Sequence, residues 1–225
     1  MSQEILELLV KALFETIYMV GVSAFIAAVI GIPLGVILIA TGRGHILENI
    51  PVNQVLGSVV NACRSTPFII LMVAIIPLTR VLAGSSIGTN AAVVPLTIAA
   101  IPFVGRIVET ALREVDYGLI EAAQAMGASP RQIILKVLIP EALPSVAAGL
   151  TLTVINLIGH SAMAGAIGGG GLGDVAIRYG YQRFRADIML ATVVILIVLV
   201  QLVQSSGDYI ARKLNKKQIG GTTHA

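Results

Sequence analysis

The chain has 225 residues, of which 56% are hydrophobic and 12% charged, with a formal net charge of +3 and a mean hydropathy of +0.91. Ordinary soluble domains carry about 25% charged residues, so this composition excludes a soluble globular class and identifies an integral membrane protein. The single cysteine, Cys63, excludes an internal disulfide and gives no sign of redox chemistry; it reads as a small apolar packing residue.

In chain order, residues 1–15 place Ile5, Leu8, Leu9, Ala12 and Leu13 at helical spacing. This predicts an amphipathic helix at the membrane interface, with Glu7 and Lys11 paired on its wet side. Glu4, Glu7 and Glu15 outweigh Lys11, which is the wrong balance for a signal peptide. Apolar runs long enough to cross a bilayer, about 20 residues each, follow at 16–40, 55–79, 81–103, 143–165 and 188–206. Five spans put the termini on opposite sides.

Within the first run, Gly31 and Gly35 flank Pro33, which predicts a kinked, closely packed helix. In the second, Thr66 and Pro67 read as the N-cap and first position of a new helix. Arg64, costing about 2.5–3.5 kcal/mol at a bilayer centre, is expected at the cytoplasmic rim or paired with a carboxylate. Every Asp and Glu falls outside the five runs, which disfavours a stand-alone channel or secondary carrier. With Trp absent, Tyr18, Tyr117, Tyr179, Tyr181 and Tyr209 are the candidate interface anchors.

The positive-inside rule orients the chain with its N-terminus outside and C-terminus cytoplasmic. Arg43, Arg64, Arg106, Arg113, Arg131, Lys136, Arg212, Lys213, Lys216 and Lys217 then face the cytoplasm. Lys11, Arg80, Arg178, Arg183 and Arg185 face out, and the last three oppose the trend in one short loop.

The segment 121–140 falls on the cytoplasmic side. Residues 118–126 are mostly good helix formers, and Glu121 suits an N-terminal dipole. Gly127 is a natural C-cap. Ser129 with Gln132 makes a capping box and Pro130 takes the first helical position of a second helix, which runs toward Pro140. Ala122, Ala123 and Ala125 give the first helix a slim surface able to enter a partner's groove; the alternative is an amphipathic hairpin on the membrane. The spacing of Glu121, Ala122, Ala123, Gly127, Val137, Ile139 and Pro140 resembles the EAA coupling loop of ABC-importer permeases, with Val137 and Ile139 where the common form has Ile and Leu.

The fourth run carries His160, Ser161, Ala162, Met163, Ala164 and Gly165, small residues around one long side chain, followed by glycines. Small residues let helices approach and slide. Met163 is therefore a candidate gate, with Ser161 and Gly165 lining the translocation pathway; the competing reading is a packing surface with one core methionine. His160 reads as an interhelical hydrogen-bonding group rather than a substrate or proton contact. Residues 168–173 satisfy Gly-x-Gly-x-x-Gly, but no strand of a soluble βαβ unit precedes them, so the dinucleotide reading is rejected. No Gly-Lys-Ser/Thr phosphate cradle, metal cluster or catalytic constellation is present, and His45, His160 and His224 are far apart. The chain is not an enzyme by itself and calls for no cofactor; any ATP is handled by another chain.

Residues 64–71 leading to Ile76-Pro77-Leu78-Thr79-Arg80, together with 161–165 and 170–173, resemble the permease subunit of the methionine ABC importer, from about residue 15 to 217. The resemblance implies an all-α type I importer fold in the inner membrane: an amphipathic segment at 1–15, a permease domain at 16–207 with its coupling loop at about 104–142, and a basic cytoplasmic tail at 208–225. It implies a second copy of the chain, two cytoplasmic ABC ATPase subunits carrying a methionine-sensing regulatory domain, and an extracytoplasmic methionine-binding protein, in a lipid bilayer and without nucleic acid. Coupling would fall to Glu121, Ala122, Ala123, Gly127, Ser129, Pro130 and Pro140. Methionine in either stereoisomer is the implied solute, another amino acid or small solute the alternative.

Overall fold

The computed structural model describes residues 3–215, and among them every regular element is a helix. Lys216, Lys217 and His224 lie outside the described residues. Helix α1 (Gln3–Ala40) is 38 residues long, about 57 Å at 1.5 Å per residue, well beyond a hydrocarbon core of about 30 Å. The first fifteen residues are thus continuous with the first span rather than a separate interfacial helix. Their apolar face finds protein instead of lipid: Leu9 and Ala12 are buried with Leu172, Val175 and Ile188, from α9 (Gly171–Val175) and α10 (Ala186–Leu214). Among the described residues Glu7 and Lys11 form no ion pair.

The Gly31 and Gly35 face is an intrasubunit contact with α5 (Thr89–Arg113). A Cβ on Gly35 would lie 2.5 Å from the Gly105 carbonyl oxygen, and one on Gly31 would lie 2.7 Å from Val104. Only glycine admits this approach. Val104 and Val108 from this seam are almost fully buried and join the main core cluster.

The second apolar run is not one straight helix. It divides into α2 (Ile50–Ser65) and α3 (Phe68–Ala74), whose axes bend by 102°. Proline disfavours the α region for the residue before it, and Thr66 is extended at ψ 122°. Thr66 does not cap α3; its hydroxyl donates back to Ala62 O at 3.1 Å. After α4 (Ile76–Ala83), left-handed Gly84 closes the helix and Gly88 (φ 102°) precedes Thr89, so the third span starts at Thr89 rather than at residue 81 and runs on to Arg113.

That extension brings a carboxylate into a spanning helix, contrary to the expectation from the apolar runs. Glu109 is 4% exposed and accepts from Arg106 at 2.5 Å and Arg113 at 2.6 Å. Arg106 also donates to Asn61 Oδ1 at 2.8 Å, tying α5 to α2. At the far end, Gly88 N donates to Gly168 O at 2.9 Å, Glu15 Oε2 accepts from Gly171 N at 2.8 Å and Thr16 Oγ1 from Leu172 N at 2.9 Å. The glycine-rich segment is thereby pinned to α1 and to the start of α5.

Helix α6 (Tyr117–Ala125) and the short α7 (Pro130–Ile133) lead through a π turn, Ile134–Leu138, into α8 (Ile139–Ala166). Pro140 does not end this helix. Its ring would collide with the carbonyl four residues back in a regular α-helix; the π turn, closed by Ile139 N donating to Ile134 O, takes up the proline, and Pro130–Ala166 runs as one path of 37 residues. A second π turn, Ala176–Tyr181, joins α9 to the loop before α10; Asp174 and Arg178 pair across its start. By length and composition four helical paths can each cross a membrane, and the bent α2/α3 pair makes a fifth.

Candidate functional site

The corner between α6 and α7 is built by local chemistry. Asp116 caps α6, its side chain accepting from Gly118 N at 2.8 Å, so the helix begins one residue before the run of good helix formers. Its end is a Schellman turn: Gly127 (φ 78°) donates to Gln124 O at 2.9 Å and Ala128 to Ala123 O at 3.0 Å. Ser129 and Gln132 form the capping box, each side chain accepting from the other's backbone amide, with Pro130 in the first turn.

The two faces of the corner differ. Ile120 and Ala123 are buried, with Ile133 and Leu138, in the same core as Leu112 of α5 and Leu157 of α8. Glu121, Ala122, Gln124 and Ala125 are exposed. Ala123 therefore anchors the helix to its own subunit, and Ala122 and Ala125 carry the slim outer surface. Met126 is 82% exposed at the tip; sequence spacing gave no reason to choose it, since a methionine beside a C-cap looks like any helix-end residue. Ser129, Pro130 and Pro140 are exposed. The corner packs as one body with the adjoining ends of α5 and α8.

The residues expected along the pathway separate. Ser161 is 2% exposed and donates to Ile158 O at 2.7 Å. Gly165 faces α9, where an added Cβ would strike Asp174 N and, at 2.8 Å, the Gly173 carbonyl carbon. Both belong to packing within the subunit. Met163 points the other way and is 49% exposed, so it is not a core methionine. It lies on an open stripe along α8: Ser145, Ala148, Leu152, Asn156, Gly159, Met163 and Ala166 are all exposed, spaced by threes and fours so that they share one face. The open face of α10, with Leu190, Val193, Val194, Ile197, Val198 and Leu202, is aliphatic and suits lipid. The α8 stripe, small and containing an amide, does not.

His160 stacks on Phe68, ring centroids 4.3 Å apart, which joins α3 to α8. Arg64 is not paired with a carboxylate: among the described residues its contact is the Phe103 ring at 5.9 Å. Cys63 is free and partly exposed rather than packed. In the loop before α2, burial first and then the Arg113 charge hold His45 below the ordinary histidine pKa. Among the described residues no group of His, Cys, Asp and Glu could hold a metal ion.

Residues 31–216 match the family model of the binding-protein-dependent transport system inner membrane component. A Vibrio cholerae protein described as a probable D-methionine transport system permease, MetI, is 56% identical over 211 residues, 94% of each chain. The Bacillus subtilis methionine import system permease MetP is 46% identical over 92% of this chain and 93% of its own. A solved structure of the MetNI methionine ABC transporter in an inward-facing conformation matches with TM-score 0.94 and 49% identity, covering 96% of this chain and all of that one. With its helical spans, its corner and this agreement over nearly its whole length, the chain belongs to the binding-protein-dependent transport system inner membrane components, the permeases of type I ABC importers, multi-pass transport subunits that are not themselves enzymes.

Proposed function

We propose that the chain is the membrane-spanning subunit of an ATP-driven methionine importer, working as a homodimer with two cytoplasmic ABC ATPases and an extracytoplasmic methionine-binding protein. The carrying observation is the agreement over 94% of both chains with a permease described for D-methionine transport. The N-terminus lies outside and the C-terminus inside. In support, Arg43, Arg106, Arg113, Arg131, Lys136, Arg212 and Lys213 cluster with the corner at one end of the helices, as cytoplasmic loops require.

The exposed side of α6, with Glu121, Ala122, Ala125 and Met126, enters a groove of the ATPase; Gly127, Ser129 and Pro130 fix its angle, and Pro140 continues it into the span. ATP draws the ATPases together and moves the two corners. Because Ile120, Ala123 and Ile133 sit in the permease core, the corner's displacement is passed to α5 and α8 as rigid bodies. The spans then alternate between outward and inward openings, and hydrolysis resets them. Coupling needs contacts that differ between the two states, which an embedded corner supplies and a loose tether does not. Met163, on the open α8 stripe, closes the pathway against its copy.

Radiolabelled methionine uptake in transport-deficient cells making the ATPase and binding protein tests this reading. Uptake that depends on this chain supports it. Uptake of a competing amino acid in place of methionine moves the solute and leaves the importer.

A further inference from the structure

The bend between α2 and α3 opens a cleft of about 310 Å³ against α5 and α8, at the small end of the range for ligand sites, about 300–1,000 Å³. Its α5 wall, Ala99, Ala100 and Phe103, falls near the middle of Thr89–Arg113. Its α8 wall, Thr153 to His160, falls in the second half of α8, more than one turn before its end at Ala166. The cleft therefore lies between the ends of both helices rather than at a helix terminus.

Arg64 lines it. A guanidinium within a membrane span is costly unless paired, and Arg64, exposed, has one aromatic face at 5.9 Å, a weak return. No carboxylate of the described residues pairs with it. The cleft is thus built with a cation whose anion the protein does not supply. Acceptors share the lining. Thr153 donates its hydroxyl proton to Gly149 O at 3.0 Å, so it offers the cleft lone pairs alone. Asn156 is exposed, and no hydrogen bond among the described residues engages its amide. Leu71, Ala100 and Leu157 add apolar lining, and the stacked Phe68 and His160 form part of the wall.

We propose that this cleft is an intramembrane binding site for a zwitterionic amino acid with an unbranched apolar side chain. Arg64 takes the α-carboxylate, Thr153 and Asn156 accept from the ammonium, and the apolar wall takes the side chain. The lining holds one cation and no carboxylate, so a second charge on the solute, acidic or basic, finds no partner. The inference rests on the amino-acid import reading above. It also orders the pathway: Met163 stands seven residues beyond Asn156 on the same face, about 10 Å, toward the α9 end.

Cys63 lines the same cleft and reports on it. In the complete transporter with its ATPase, held in nanodiscs and shown competent for uptake, Cys63 is alkylated by a maleimide and the modification mapped by mass spectrometry. Methionine at about ten times its dissociation constant is expected to slow labelling about tenfold. 3-(Methylthio)propylamine, which lacks the carboxylate, and glutamate are expected not to protect. Arg64→Ala removes protection and Arg64→Lys keeps a weakened form, which separates the cleft from any methionine site on the ATPase. Equal protection by the amine, protection surviving in Arg64→Ala, or no protection in a competent transporter overturns the proposal. Should Arg64→Ala not fold, the amine comparison in the unaltered protein decides. Protection by norleucine and not by methionine, still dependent on Arg64, upholds the cleft and removes methionine as the solute.

Discussion

Ala128 donates its amide to the carbonyl of Ala123 at 3.0 Å, a bond that exists only because Gly127 between them sits at φ 78°. A Cβ at Gly127 would meet nothing within 4 Å, so the cost of Gly127→Ala is backbone strain alone, about 1–2 kcal/mol. The bond closes the turn between α6 and α7, and strain there changes the corner's angle. Gly127→Ala is expected to lower uptake per ATP hydrolysed while the subunit still assembles, and Gly127→Asn, better suited to the left-handed region, to lose less. Parallel uptake and ATPase assays in vesicles check the order.

The α8 and α9 crossing is far less forgiving. A Cβ on Gly173 would strike the Ala162 backbone, with its Cα at 2.5 Å, and backbone cannot rotate away. Gly173→Ala is expected to lower the thermal midpoint of the purified complex by several degrees, whereas Gly21→Ala, with nothing within 4 Å, leaves it unchanged or slightly raised, since Ala favours helix by about 1 kcal/mol. A thermal scan of both variants suffices.

Met163 separates gate from scaffold. Because it is 49% exposed, truncation forfeits little core packing. Met163→Ala is expected to keep assembly and raise methionine efflux from proteoliposomes without ATP. Unchanged leak and unchanged uptake would remove Met163 from the gate.

His45 gives the loop before α2 an acid sensitivity. Burial, then Arg113, hold its folded pKa below 6.5, so the unfolded loop binds the proton more tightly. Stability is therefore unaffected above about 6.5 and falls as pH drops from there toward the folded pKa. Hydrogen exchange across residues 41–49 is expected to quicken on acidification, and His45→Gln to flatten the response.

Much of the corner was legible in the sequence because caps act over three or four residues. Ser129 with Gln132 and Gly127 announce themselves wherever the chain goes. Glu109, Arg64 and Asn156 were not legible, for the opposite reason. Whether a charge is buried, paired or left facing a cleft depends on which helices close around it, and Arg106 and Arg113 reach Glu109 while no carboxylate reaches Arg64. The break at Pro67 was visible and its 102° bend was not, since proline dictates that the helix must stop but not where the next one points. Ala123 was misjudged as outward because three alanines in a short run give no hydrophobic period to choose a face.

The π turn at Ile134–Leu138 carries a consequence for how the subunit tolerates change. It holds one residue more than a regular helix would use, and each residue turns a helix by about 100°. Deleting one residue there would return the turn to a regular α-helix, leaving Asn156 and Met163 near their present phase relative to Gly127 but setting the Pro140 ring against the carbonyl four residues before it. The extra residue is therefore the relief that lets a proline stand inside one continuous path from the corner to the span, and its loss would be felt as a kink between them.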